Sequence, residues 1–173
     1  VTFLELTGIL KRIQRTGRVD VGVYEPESVA EHTFRTAVLC MLYADITSLD
    51  SLKLLRMALI HDLSEALIGD LTPSQKIAET KKKEENAMHQ ILGLLPTKQR
   101  EQYLAVWREY QEGETKESKA VRQLEKIEMA LQAKEYEKYG IANKSLKRFT
   151  KAAREVTDWP DLNQLLSVIL EET

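Results

Sequence analysis

The segment from Ser51 to Gly69, SLKLLRMALIHDLSEALIG, is the tightest constraint on what this chain can become. Its apolar residues recur too densely for a surface helix, so it reads as a buried helix that Gly69 ends. Yet His61, Asp62 and Glu65 interrupt it, among Ala58, Leu59, Ile60, Leu63, Ala66 and Leu67. Burying an ionised carboxylate without a partner costs several kcal/mol. Two carboxylates and an imidazole together need a counter-charge or a polar cavity. A divalent cation supplies the charge, and imidazole with carboxylate suits Zn, Mn, Fe, Co or Ni. Glu65 stands four residues after His61, which places the two on one face of a helix. Asp62 is turned by about 100°, so His61 and Asp62 can grip one ion only along that edge. A further ligand must come from another helix, and His32 is the obvious donor. The purely structural alternatives are a core histidine at His32, bonded to a backbone carbonyl, and carboxylates at Asp62 and Glu65 paired with Arg56 or Lys53.

The rest of the chain has helical periodicity and no strand-like alternation of useful length. The expected class is all-α, a single helical bundle over residues 1–173. A first helix is expected from Phe3 to Gln14, with Leu6, Ile9, Leu10 and Ile13 on one face, then a loop from Gly17 to Pro26. Ser28 and Glu31 form a capping box for a second helix, which runs to about Ile46 and is apolar over most of its circumference. Such a helix should be buried, with His32 in its first turn. After Gly69, Thr72 and Pro73 fit the cap and first turn of another helix. Lys81, Lys82 and Lys83 read as a solvated face. Further helices are expected over 84–95, 97–111, 117–139, 145–156 and 160–171.

Bulk properties exclude more than they assert. The charge balance of 25 basic and 27 acidic residues gives no reason to expect a nucleic-acid polymer or a membrane surface as partner. No stretch reaches the roughly 20 apolar residues of a membrane span. Cys40 is the one cysteine and reads as a small buried hydrophobe, so nothing suggests an oxidising compartment. The opening residues lack the layout of a signal peptide, and the cytoplasm is the expected location. His89, on a mixed helix, reads as a surface residue.

Three ordered blocks, ESVAEHTFR, IHDLSEALIGDL and QLEKIEMALQAKEYE, together with the opening LKRIQRTG, resemble the HD-domain 5′-deoxynucleotidases over residues 4–139. The resemblance implies an all-α HD domain, a divalent metal (Co, Mn, Zn, Ni or Mg), a homodimer, and removal of phosphate from nucleoside 5′-monophosphates. By position it makes His32, His61 and Asp62 metal ligands. The family's fourth ligand is an aspartate on the long helix; here that position is Glu125, with Glu128 one turn on as a rival. Glu65 matches the catalytic glutamate and Arg15 the arginine that orients the substrate phosphate. Asp70 matches a residue lining the substrate or a second metal, and Thr72 and Pro73 follow in the same loop. The sequence departs from the family at Arg18, where relatives usually have tryptophan, and at Gln14, where they often have proline. An HD enzyme acting on nucleoside triphosphates or cyclic nucleotides, and an HD module that binds nucleotide or metal without turnover, are the alternatives.

Overall fold

The computed structural model describes residues 2–141 and 146–171. Its helices are α1 (Phe3–Ile9), α2 (Thr16–Val19), α3 (Val29–Asp45), α4 (Ser51–Ile60), α5 (Glu65–Ile68), α6 (Thr80–Leu92), α7 (Thr97–Glu112), α8 (Lys116–Lys138), α9 (Lys147–Val156) and α10 (Pro160–Glu171). Among the described residues the only pairing of strand type is an isolated bridge between Gln14 and Ser28. No described helix is long and apolar enough to cross a membrane.

Helix α8 is the element on which α3, α4, α7, α9 and α10 converge. Its buried face alternates small residues, Ala120, Ala130 and Ala133, with Val121, Leu124 and Ile127, so neighbouring backbones approach closely while the gaps stay filled. One core cluster joins α3, α4, α8 and α10 through Cys40, Met57, Leu124 and Leu162. A second joins α1, the segment preceding α5, and α6 and α7 through Leu6, Leu63, Met88 and Trp107. The chain passes from the first cluster to the second between Met57 and Leu63, and His61 lies at that passage.

The segment after α4 is not the continuous helix that its pattern suggests. Residues 61–64 form a turn, closed by Leu63 N–H to Ile60 O (3.1 Å) and Glu65 N–H to Asp62 O (3.0 Å). These are three-residue spacings, tighter than an α-helix, and such tightening is common at functional sites. The side chain of His61 takes part: its Nδ1 lies 2.7 Å from the Ala58 carbonyl, the acceptor that a continuing α-helix would use for Asp62. Past α5, Gly69 takes φ 78°, a left-handed conformation that side chains disfavour, and turns the chain so that Asp70 comes back toward residues 15–16.

Helix α3 starts as its sequence indicates: Ser28 Oγ accepts from Glu31 N–H while the Glu31 side chain accepts from Ser28 N–H. Its other free N–H groups explain why α1 stops at Ile9 rather than at Gln14. The carbonyls of Leu10 and Ile13 accept from Ala30 and Val29, so this stretch serves the start of α3 instead of its own helix. The expected loop after Gly17 contains the short α2. Helix α3 is not buried all round: His32, Thr36, Cys40 and Tyr43 face inward, while Phe34, Met41 and Leu42 are exposed. Thr72 and Pro73 lie in a turn and cap nothing; α6 begins only at Thr80, with Lys81, Lys82 and Lys83 exposed on it. Part of the helix expected from residue 145 lies outside the described residues, and α9 is seen from Lys147.

Candidate metal centre

Three elements meet at His32: α3 carries it, the 61–64 turn brings His61 and Asp62, and α8 closes the other side with Glu128. The ligand atoms of His32, His61 and Asp62 all lie within 4.8 Å of one another. His61 Nε2 is 3.1 Å and His32 Nε2 is 3.9 Å from Asp62 Oδ2. Both Nε2 atoms are buried and lack a hydrogen-bond partner. Donor atoms bound about 2.1 Å from one ion at tetrahedral or octahedral angles lie about 3.0–3.4 Å apart. The spacing of the triad and the two orphaned ring nitrogens therefore fit a divalent cation. Lys53 pairs with Glu109 (3.2 Å) rather than with Asp62 or Glu65, Asp62 pairs with Arg15, and His32 Nδ1 meets Glu128 rather than a backbone carbonyl.

Arg15 reaches the same place from the loop before α2. Its Nη1 donates to Asp62 Oδ2 (3.0 Å) and Asp70 Oδ1 (3.1 Å). Asp70 is clamped further, since its Oδ2 accepts from Thr16 N–H (2.6 Å) and its carbonyl accepts from the Thr16 hydroxyl (2.7 Å). Burial works against an ionised Asp62, but His61 and Arg15 outweigh it and hold the carboxyl well below the usual range. Glu65 behaves oppositely: burial, reinforced by the carboxylates of Asp62 and Asp70, pushes it up to about 11. One of its oxygens, Oε2, is buried without a partner.

Glu125 stands apart from the triad. Its Oε2 accepts from the Tyr110 hydroxyl (2.6 Å) and its Oε1 from Lys126 Nζ (2.7 Å). It nevertheless lines the same cavity of about 280 Å³ as His61, Asp62 and Glu65, with Lys76 and Arg122 on the walls. That volume is just below the range for small-molecule sites, about 300–1,000 Å³. Thr72 and Pro73 do not line it; the Thr72 hydroxyl is taken up by Ser74 and Gln75, and Pro73 is exposed.

Glu128 is placed outside the triad. Its Oε2 is 2.5 Å from His32 Nδ1, and its Oε1 accepts from Arg35 Nε (2.9 Å). Arg18 is fully buried, stacked 3.8 Å above Phe149 and donating to the Met129 carbonyl (2.6 Å). It packs in the core and does not line the cavity. Cys40 is buried, and His89 is exposed beside Arg108.

Sequence reasoning missed the roles of Arg35, Glu128, Tyr110 and Lys76. A signal existed for Glu128, a charge flanked by Ile127, Met129 and Ala130 as His61 is flanked by apolar residues. Nothing in the sequence marks Lys76, which a long loop carries to the cavity.

Similarity to known proteins extends over most of the chain. A family model described as HD domain matches residues 7–163. The chain is similar to the 5′-deoxynucleotidase HDDC2 of Mus musculus, 39% identical over 98% of this chain and 86% of the relative. Among solved structures it is similar to the PH0347 protein of Pyrococcus horikoshii, with a TM-score of 0.83, 32% identity and 96% of each chain covered. A conserved hypothetical protein of Pyrococcus furiosus matches with a TM-score of 0.81 and 34% identity over 98% of this chain and 96% of that one.

The state of Glu65 has a measurable consequence. A carboxyl whose value in the fold lies above its unfolded value stays protonated while the unfolded chain ionises. Stability is therefore lost as pH rises above the ordinary carboxylate range, at most about 1.4 kcal/mol per pH unit. Glu65→Gln cannot ionise. In metal-free protein its melting temperature relative to wild type should rise between about pH 5 and about pH 8. An equal difference at both pH values would show that Glu65 is not held neutral.

Proposed function

Because the chain belongs to the HD-domain family, we propose that it is a 5′-deoxynucleotidase, a metal-dependent hydrolase that releases phosphate from (deoxy)nucleoside 5′-monophosphates. One observation carries the reading: two buried Nε2 atoms without partners converge on a carboxylate held ionised at the wall of a cavity. The names of the curated relatives support the substrate class. The match of the family model to residues 7–163 supports one HD domain.

In this reading His32, His61 and Asp62 hold the ion. Glu125 would be the fourth ligand, through the oxygen that Lys126 contacts, with the Tyr110 hydroxyl steadying its other oxygen. A divalent ion, when bound, supplies Lewis acidity toward the phosphoryl group and lowers the pKa of water. Arg15 engages the two carboxylates through Nη1 alone among the described residues, so the rest of its fork remains for phosphate oxygens. Glu65 carries the proton between the attacking water and the leaving ribose 5′-oxygen. Asp70 keeps Arg15 and residues 16–18 in place at the edge of the site, and Thr72 and Pro73 shape the loop that follows. Co, Mn, Zn, Ni and Mg are the candidate ions.

A pair of copies is part of the proposal. Phe34, Met41 and Leu42 recur at helical spacing on the outer side of α3 with exposures of 70%, 43% and 54%, and a partner copy covers them. Sedimentation should give a dimer for the wild type and a monomer for Phe34→Glu/Leu42→Glu; a wild-type monomer would reject the pairing.

The decisive assay is phosphate release by metal-stripped protein refilled with each ion, across nucleoside mono-, di-, tri- and cyclic phosphates. Monophosphates should be the substrates. Asp62→Ala should bind no stoichiometric metal and lose at least about 100-fold in turnover. Metal binding without release from any nucleotide would favour a binding module instead, and a preference for triphosphates or cyclic nucleotides would move the protein to another HD activity.

A further inference from the structure

Two groups of possible ligand atoms share His32. One is His32, His61 and Asp62; the other is Glu27, His32 and Glu128. They use opposite ring atoms, since Nε2 faces Asp62 (3.9 Å) and Nδ1 faces Glu128 (2.5 Å). A neutral imidazole has one lone pair and one N–H, so it can serve a cation on one side only.

The neighbours of Glu128 decide which side. Its Oε1 accepts from Arg35 Nε at 2.9 Å, and the pair is shielded, with Glu128 fully buried. Arg35 is itself fixed by Glu135 (2.7 Å) and Gln132 (2.5 Å). An ionised carboxylate beside a guanidinium is an acceptor only, so the hydrogen of the short contact to His32 belongs to Nδ1. With Nδ1 donating, the lone pair lies on Nε2, the atom that is buried without a partner. His61 is set in the same tautomer by different means, its Nδ1 donating to the Ala58 carbonyl.

We propose that Glu128, backed by Arg35, is a positioning residue that holds His32 as the Nδ1–H tautomer and so reserves Nε2 for the metal. It is neither a ligand nor part of a second metal site. The proposal rests on reading His32, His61 and Asp62 as the metal centre. It has an unusual consequence at Glu128. Both of its oxygens face donors, Arg35 Nε–H and His32 Nδ1–H. A glutamine offers one acceptor and one donor, so it satisfies one of them and opposes the other. If its oxygen turns to Arg35, its amide donates to Nδ1 and drives His32 to the tautomer that cannot bind metal at Nε2.

Two measurements test this. The first needs no variant: ¹⁵N spectra of the metal-free wild type with labelled histidine should show His32 protonated at Nδ1 and bare at Nε2. There are three histidines to assign. The second is Co²⁺ affinity by calorimetry. Glu128→Gln should weaken binding about 10–100-fold. Arg35→Met/Glu128→Gln should bind more tightly than Glu128→Gln alone, by at least about threefold, because the amide is then free to accept from Nδ1. A merely structural role for Glu128 predicts further loss in the double variant. A bare Nδ1 on His32, an unchanged affinity in Glu128→Gln, or additive losses would overturn the proposal. If Glu128→Gln does not fold, the wild-type spectrum decides alone. Asp62→Ala separates the two levels: if it too leaves Co²⁺ affinity unchanged, the metal-centre reading fails, and if it abolishes binding while Glu128→Gln does not, only the positioning role fails.

Discussion

The carboxylate of Asp62 lies at the cavity wall against Arg15 and two imidazoles, and the arrangement around it follows from the need to keep that charge stable. No single partner suffices. Arg15 arrives from the loop before α2, His61 from the adjacent position in a tightened turn, and His32 from the first turn of a capped helix. Each is fixed by bonds unconnected with the charge itself: Thr16 to Asp70, His61 to Ala58, Ser28 to Glu31. The side chains of the pocket are thus positioned by bonds of the fold itself, which limits the reorganisation that binding requires.

The same economy of position separates two acids that are three residues apart. Asp62 is held ionised because the His61 ring and the Arg15 guanidinium outweigh its burial; Glu65 is kept neutral because burial and two neighbouring carboxylates oppose its charge. Divergent environments for nearby carboxyls are the usual basis for dividing electrostatic and proton-transfer roles. The proposed chemistry uses that division, with Asp62 holding the ion and Glu65 moving the proton. Tyr110, Lys126 and Lys76 line the same cavity.

Much of this was legible from residue type. The Ser28–Glu31 box placed His32 in a first turn, and charged residues inside an apolar run marked His61, Asp62 and Glu65 as a group. The all-helical class followed from periodicity. What failed did so where tertiary bonds overrode local pattern. The helical period of residues 51–68 continues through His61, but the imidazole competes for a backbone acceptor and the helix breaks. Residues 10–13 have helical periodicity, yet their carbonyls cap α3. Counting apolar residues on α3 implied burial all round, and an apolar count cannot distinguish a core face from one turned to solvent. Glu125 and Glu128, one turn apart, were rivals for one role; only the positions of His32, Arg35, Tyr110 and Lys126 around them separate a cavity carboxylate from a histidine partner.

The central claim is that one divalent ion is held on the Nε2 side of His32. Anomalous diffraction from crystals of Mn²⁺-loaded protein tests it most directly. The account predicts a single peak bonded to Nε2 of His32, Nε2 of His61 and the carboxylate of Asp62. A peak on the opposite side of the ring, between Glu27 and Glu128 at Nδ1, or the absence of any peak in this region at saturating metal, would contradict it.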